Sequence, residues 1–147
     1  MRALLDINVL IALLDSDHPH HAWAVRWLKS NARHGWASCP ITLNGCVRIM
    51  SQPGYPNPVP TAVVVGLLRE AARHPAHRFW PDDVSLLDGK LIDETKVHGP
   101  RQVTDVYLLA LAVKHGGRFV TFDGAIARTA VRGATADHLH VLHVEGA

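Results

Sequence analysis

The stretch GPRQVTDVYLLALAVKHGGRFVTFD, residues 99–123, contains the clearest change of secondary structure in the chain. Its first part predicts a helix that has Thr104 at its N-cap and ends before the glycine pair that starts at Gly116. RFVTFD, residues 118–123, then predicts a buried strand that ends on Asp123. A helix that leads into a buried strand is typical of a βαβ unit, so this stretch predicts parallel strands.

The rest of the chain alternates between strands and helices in the same way, which predicts an α/β fold. We expect a three-layer domain, in which a central, largely parallel sheet is flanked by helices, and residues 1–147 form a single domain. The other predicted strands are RALLD (2–6), GWASCP (35–40), HRFW (77–80) and HLHVLHV (138–144). The other predicted helices are NVLIALLD (8–15), His20 to Asn31, ITLNGCVRIM (41–50), Pro60 to about His74, and GAIARTAV (124–131). Residues 51–60, with four prolines, predict a loop, and the acidic residues 81–96 predict an irregular segment.

The amino-acid composition favours some classes of protein and argues against others. The chain has 147 residues, a net charge of +2 and 11 histidines, so a polyanionic partner is compatible with its charge. It contains no apolar run of roughly 18 residues and no secretory signal pattern, so we expect a cytoplasmic protein with no membrane partner. Cys39 and Cys46 form no CxxC pair and predict small buried side chains rather than a zinc site.

Three aspartates are predicted to meet at one edge of the sheet. Asp6 follows the first strand, Asp123 follows the strand RFVTFD, and Asp105 lies in the first turn of the preceding helix. If the first and fourth strands are neighbours, like charges there repel by roughly 4 kcal/mol per pair at about 4 Å. Oxygen ligands without histidine or thiolate partners favour Mg²⁺ or Mn²⁺, which could activate water against a phosphodiester.

Each of these residues also has a purely structural interpretation. Asp6, Asp105 and Asp123 are all compatible with capping or turn formation, although a charge between the apolar runs around Asp6 is costly unless it is paired. Asn8 is expected either to orient a metal-bound water or to cap a helix. Thr121 is compatible with a hydrogen bond to a carboxylate and, equally, with an ordinary strand position.

The ordered set of motifs resembles the PIN-domain family, specifically the VapC-type ribonuclease toxins of bacterial toxin–antitoxin pairs. The resemblance rests on LLDINVLIALLD (4–15), HPHHAWAVRWL (18–28), CPITLNGCVRIMSQPGY (39–55), HRFWPDD (77–83) and RQVTDVYLLALAVKHGGRFVTFD (101–123). It implies a PIN-like three-layer fold and an Mg²⁺- or Mn²⁺-dependent endoribonuclease acting on RNA. It also implies a homodimer and a cognate antitoxin whose C-terminal segment occupies the acidic groove. Carried over by position, the family's catalytic and metal-binding acids are Asp6, Asp105 and Asp123, with Thr104 among the supporting residues.

One position departs from the family pattern. The helix after CP commonly reads T-E-N-G-x-V-R in the family, with the glutamate in the acidic site, whereas this chain reads TLNGCVR. Leu43 replaces that glutamate and also fits an ordinary stripe facing the core. We therefore predict three acids and weaker metal binding than at a four-acid site. Other carboxylates that could reach the site, without any pattern pointing to one of them, are Asp15, Asp82, Asp83, Asp88, Asp93 and Glu94.

Several further residues could contact RNA. Arg48 and Arg101 are candidates for phosphate binding, and so are His98 and Gln102, but solvated surface positions are the more common explanation for all four. The histidines of HPHH (18–21) are interpreted as a solvated helix entry rather than a metal motif.

Two other functions stay open. The chain could be a catalytically weakened PIN module that mainly binds antitoxin or RNA, which the leucine in TLNGCVR would favour. It could also be a phosphate-transfer enzyme with Asp6 as a covalent nucleophile, although DIN (6–8) lacks the second carboxylate of a D-x-D site.

Overall fold

A five-stranded parallel sheet forms the centre of the molecule in the computed structural model, which describes residues 1–143. The strands are β1 (Ala3–Leu5), β2 (Trp36–Ser38), β3 (His77–Phe79), β4 (Arg118–Thr121) and β5 (Leu139–Val141). Their order in the sheet is β3-β2-β1-β4-β5, and every pairing is parallel. Because β1 and β4 are neighbours, the residues that follow these two strands lie at one sheet edge. All five predicted strands are present, each shorter than predicted, and the last residue of the HLHVLHV prediction, Val144, lies outside the described residues.

Helices cover both faces of this sheet. They are α1 (Ile7–Leu14), α2 (His21–Asn31), α3 (Pro40–Ser51), α4 (Thr61–Ala72) and α5 (Val103–Lys114). Leu5 and Val120 pack with α1, α3 and α4 in one buried cluster, whereas Leu4 and Phe119 pack with α5 in another. Alternate strand residues thus enter two cores, which explains why the strands read as continuous apolar runs. The predicted three-layer α/β fold with a parallel sheet is confirmed.

The start of α5 differs from the prediction. A 3₁₀ turn over Pro100–Gln102 precedes the helix, and Gln102 occupies the N-cap position. Thr104 is therefore the second residue of α5, and its assignment as the N-cap was wrong. The fixed φ angle of Pro100 favours an early first turn, which moves the start of the helical backbone toward the N-terminus of the chain.

The predicted helix GAIARTAV is also wrong, since only Arg128–Ala130 form a 3₁₀ turn there. One local turn and one tertiary hydrogen bond replace the helical hydrogen bonds. The backbone N–H of Ala125 donates to Asp123 Oδ1 at 2.9 Å, and its carbonyl accepts from Gln102 Nε2 at 2.7 Å. The segment after β4 is consequently held as a loop that faces the start of α5.

The two segments predicted to lack regular structure pack firmly against the sheet layers. In the acidic segment, Ile92 is 1% exposed and forms an antiparallel bridge with Val131. In the proline-rich loop, the Tyr55 hydroxyl donates to the Asp15 carboxylate at the end of α1. Cys39 and Cys46 are both free, as predicted, and buried. Within residues 1–143, none of the helices combines the length and the apolar character needed to cross a membrane.

Candidate active site

Asp6 joins β1 to α1 and is almost fully buried, at 6% exposure. Its Oδ1 accepts a 2.7 Å hydrogen bond from the backbone N–H of Ile7, so it is the N-cap of α1. Its Oδ2 accepts a 2.6 Å hydrogen bond from the Thr121 hydroxyl on β4. Burial raises the pKa of Asp6, and these two hydrogen bonds oppose the rise. Asp6 therefore caps α1 and is also one of the acids of the candidate site.

Asp105 and Asp123 form a close pair beside Asp6. Asp105 is half-buried in the first turn of α5, and Asp123 lies two residues beyond the end of β4. Burial, the negative charges of Asp6 and Asp123, and a hydrogen bond between the paired carboxyl groups raise the pKa of Asp105 to about 7. Within residues 1–143, no salt bridge involves any of the three acids. Asp105 does not cap α5, so the capping interpretation of this residue was wrong, whereas Asp123 does close a turn through Ala125.

The three acids line one open groove of about 440 Å³. Distant parts of the chain thus converge at the edge where β1 and β4 end, which is where α/β sheets commonly bind ligands. The remaining lining is mixed, with an amide, an imidazole, a phenol and three isoleucines. These residues are Ile7, Asn8, Ile11, His18, Ile49 and Tyr55.

Two polar residues connect the elements that carry the acids. The Thr121 hydroxyl bonds Asp6 and also accepts the backbone N–H of Asp123 at 3.0 Å, so it contacts two acids directly. Asn8 Nδ2 donates to Thr121 Oγ1 at 3.4 Å, and Asn8 Oδ1 accepts from the Phe122 N–H at 3.4 Å. Asn8 therefore ties α1 to β4 and is not the helix cap. Thr104 is exposed, and no side-chain hydrogen bond of Thr104 occurs within the described part of the chain.

Leu43 lies outside this groove. It is half-buried against the core of α1, α3 and α4, and it lines a separate cavity between α3 and α4 together with Val47. Its environment matches the predicted core-facing stripe. Arg48 and Arg101 are exposed and do not belong to the groove lining either. The groove lining also lacks the six carboxylates named above as possible replacements, Asp15, Asp82, Asp83, Asp88, Asp93 and Glu94.

Two residues have roles that the sequence did not reveal. His18, interpreted as part of a solvated helix entry, lines the acidic groove. Gln102, considered as a phosphate ligand, uses its amide within the protein: Oε1 accepts from the His98 N–H at 3.0 Å and Nε2 donates to Ala125 O. Gln102 thereby ties the start of α5 to the loop that carries Asp123. No periodic pattern signals either contact, because both depend on loops from distant parts of the chain.

The donor set of the groove suits a hard divalent cation. All three charged groups offer carboxylate oxygens. The pKa of Asp105 is raised first by burial and then by repulsion from Asp6 and Asp123, and a cation would relieve that repulsion. Among residues 1–143, no three His, Cys, Asp or Glu side chains already enclose a position for an ion. Mg²⁺ in proteins commonly keeps several waters and uses only one or two carboxylates with substrate phosphate, so a partly formed protein site fits it.

Comparisons with known proteins agree with the fold. Residues 3–132 match the PIN domain family. Over 142 residues the chain is 57% identical to the Mycobacterium tuberculosis protein Ribonuclease VapC44, covering 97% of this chain and 100% of that protein. Ribonuclease VapC39 of the same organism is 46% identical over 134 residues, covering 90% of this chain and 96% of the relative. The chain therefore belongs to the PIN-domain family, and within that family to the VapC proteins.

A solved structure shares the fold at much lower sequence similarity. It is the crystal structure of VapBC2 from Rickettsia felis bound to a DNA fragment from their promoter. The matched chain superimposes with a TM-score of 0.67 at 12% identity, over 97% of this chain and 100% of that chain. At this identity the likeness concerns the fold alone.

Proposed function

We propose that this chain is a divalent-metal-dependent endoribonuclease and the toxin of a toxin–antitoxin pair, hydrolysing RNA phosphodiester bonds. The observation that supports it most is the convergence of Asp6, Asp105 and Asp123 in one groove, with the pKa of Asp105 raised to about 7. The VapC relatives named as ribonucleases support the substrate class. In this proposal residues 1–147 act as a single PIN domain.

The three acids have distinct tasks in the proposed mechanism. Asp6 is held rigidly by Thr121 and Ile7, so its carboxylate is fixed before any ligand binds. Asp105 and Asp123 complete the metal-binding set, with Asn8, Thr104 and Thr121 as supporting residues. Mg²⁺ or Mn²⁺, when bound, supplies the Lewis acidity that activates water and stabilises charge on the phosphate. No protein nucleophile is needed.

Asp6→Asn tests this function. The asparagine keeps an oxygen that can accept the Ile7 N–H but removes the charge, so we expect a folded protein that no longer cleaves RNA in Mn²⁺. The control is Asp17→Asn, an exposed aspartate in the loop after α1, which should cleave RNA like the unmodified protein. Cleavage that persists in Asp6→Asn, or that is insensitive to metal removal in the unmodified protein, would contradict the proposal.

A second candidate is a catalytically weakened PIN module that mainly binds antitoxin or RNA. The groove has three acids, and Leu43 lies outside it in the cavity between α3 and α4, which favours this candidate. Titration of Mn²⁺ into the unmodified protein and Leu43→Glu tests the prediction of weaker metal binding, because the longer, charged side chain raises the affinity only by reaching from that cavity into the groove. Equal affinities would contradict the prediction that the residue at this position limits metal binding. Measurable metal-dependent cleavage by the unmodified protein would exclude an inactive module.

The covalent-nucleophile alternative fits the geometry poorly. Both carboxylate oxygens of Asp6 already accept hydrogen bonds, and the residue is 6% exposed, which leaves little room for in-line attack on a phosphate. Trapping of an acyl phosphate on Asp6 would nevertheless reinstate that mechanism.

The proposed partners follow from the family. We expect a cognate antitoxin whose C-terminal segment enters the acidic groove, RNA as substrate, and a homodimer in the cytoplasm. Arg48 and Arg101 remain proposed phosphate contacts, and both are exposed. Coexpression with the product of an adjacent short reading frame should suppress toxicity, and light scattering should give twice the mass of the chain.

A further inference from the structure

His18 lines the acidic groove, but the proposed mechanism assigns it no task. It lies in the loop between α1 and α2, and it borders the same space as Asp6, Asp105 and Asp123. The side chain is half-buried, so its position is restricted by the surrounding protein. An imidazole beside three carboxylates can donate or accept hydrogen bonds, so its contacts and its proton position determine its role.

The hydrogen bond on one ring nitrogen of His18 determines what the other nitrogen can do. Nδ1 accepts the backbone N–H of His20 at 3.0 Å, so the neutral ring carries its proton on Nε2. Burial lowers the pKa of His18, His20 and His21 lower it further, and Asp15 opposes them, so the neutral form prevails near pH 7. A protonated Nε2 is a hydrogen-bond donor and is not a metal ligand.

Other polar side chains of the groove are already bonded within the protein. The Tyr55 hydroxyl donates to Asp15, and the Asn8 amide is held by β4 through both its nitrogen and its oxygen. For His18 Nε2, no acceptor is present among residues 1–143. The groove therefore has a neutral N–H donor available to a ligand.

We propose that His18 Nε2–H donates a hydrogen bond to a non-bridging phosphate oxygen of the RNA bound in the groove. This inference rests on the proposed ribonuclease function. A phosphodiester that enters a groove with three carboxylates is repelled, and a bound cation would offset part of this repulsion. A neutral donor stabilises the phosphate without forming an ion pair with Asp6, Asp105 or Asp123, as a lysine or arginine there would do. His18 is thus a substrate-binding residue.

Two substitutions of His18 separate the donor from the structural hydrogen bond. His18→Asn keeps an oxygen acceptor near the position of Nδ1 for the His20 N–H but has no donor at the Nε2 position. His18→Gln places an amide N–H near the Nε2 position. His34→Asn, at an exposed position in the turn before β2, is the matched control.

The first experiment measures kcat/KM for cleavage of a mixed-sequence single-stranded RNA in Mn²⁺. We expect His18→Asn to lower kcat/KM about tenfold, because hydrogen bonds to charged groups are stronger than neutral ones. His18→Gln should recover most of the loss, and both variants should bind Mn²⁺ like the unmodified protein in calorimetric titration. An unchanged kcat/KM for His18→Asn, or a loss of Mn²⁺ affinity that marks His18 as a metal ligand, would overturn the inference.

The second experiment does not depend on cleavage, so it separates this inference from the proposed function. Long-range ¹H–¹⁵N spectra of the histidine rings, recorded with Mg²⁺, should show the proton of His18 on Nε2, and inorganic phosphate should shift that resonance. A protein that fails to cleave RNA but shows this shift would refute the ribonuclease proposal and keep the phosphate donor. A proton on Nδ1, or no response to phosphate, would overturn the role of His18.

Discussion

Removing the charge of Asp105 should make the metal-free protein more stable and, at the same time, inactive. The Asp105 carboxyl is half-buried beside Asp6 and Asp123, and its pKa is raised from 3.8 to about 7. In Asp105→Asn the amide can still donate a hydrogen bond to Asp123, so the variant loses the repulsion and keeps the contact. We therefore expect a higher free energy of unfolding in EDTA and no metal-dependent RNA cleavage.

The pKa of Asp105 sets both the size and the sign of this effect. A pKa of about 7 instead of 3.8 corresponds to at most about 4 kcal/mol. Because Asp105 is half-exposed, solvent screening reduces this to roughly 1–2 kcal/mol, or about 3–6 °C in Tm. The folded state binds the extra proton between the two pKa values, so the contribution of Asp105 to stability is lost as pH rises through that window.

Urea unfolding of the unmodified protein and Asp105→Asn in EDTA, followed from acid to pH 8, measures the effect. The difference between the two proteins should vanish near pH 4 and reach its maximum above pH 7. Asp17→Asn, which removes an exposed carboxylate away from the groove, should show no such trend. If Asp105→Asn is no more stable than the unmodified protein at pH 8, the acids do not repel each other strongly and the argument for a cation fails.

Three further substitutions test the supports of the site and of the core. Thr121→Val removes the hydroxyl that donates to Asp6 Oδ2 at 2.6 Å, and the unpaired acceptor should lower the free energy of unfolding by about 1–3 kcal/mol. Urea unfolding measures the loss, and Thr121→Ser, which keeps the hydroxyl, should recover most of it. Gln102→Leu removes two hydrogen bonds that tie α5 to the loop after β4, so we expect weaker Mn²⁺ binding in calorimetry and a loss of about 1–2 kcal/mol. Gly45→Ala places a Cβ 2.3 Å from a side-chain carbon of α1, and overpacking of about 1–3 kcal/mol should outweigh the gain in helix propensity. Thermal unfolding beside Gly66→Ala, where the added Cβ meets nothing within 4 Å, should show opposite changes in Tm.

The layered fold could be predicted from the sequence because apolar runs and helical periodicity are local signals. The parallel sheet, its flanking helices and the order of the elements all follow from them. The error at Thr104 is local, because the turn that starts at Pro100 moves the start of α5. The error in GAIARTAV has a tertiary cause, because the segment after β4 is held by the start of α5. The Ala125 carbonyl bonds Gln102, which lies on the other side of β4 in the chain, and no window of sequence contains both partners and their geometry.

The convergence of the three acids could be predicted because the carboxyl ends of neighbouring parallel strands must meet at one edge. The contacts of the other side chains around these acids could be predicted only in part. His18 reaches the groove through a loop without periodicity. For Thr121 the sequence left two interpretations open, a hydrogen bond to a carboxylate and an ordinary strand position, and the 2.6 Å hydrogen bond to Asp6 confirms the first. Leu43 was correctly assigned to a core-facing stripe, because its spacing with Val47 on α3 is a helical signal.

The three acids of the groove differ in the contacts that hold them. This difference couples the stability of the protein to metal binding. Asp6 is fixed by two hydrogen bonds, whereas Asp105 and Asp123 face each other across a contact that is favourable only when one proton is shared. A cation that binds only the folded state would take the place of that proton and would stabilise the protein by mass action. Asp105→Asn removes the same repulsion by another route, so the two stabilisations act on one interaction and should not add. The repulsion that weakens the unloaded protein is thus the same interaction that would favour a cation in the groove.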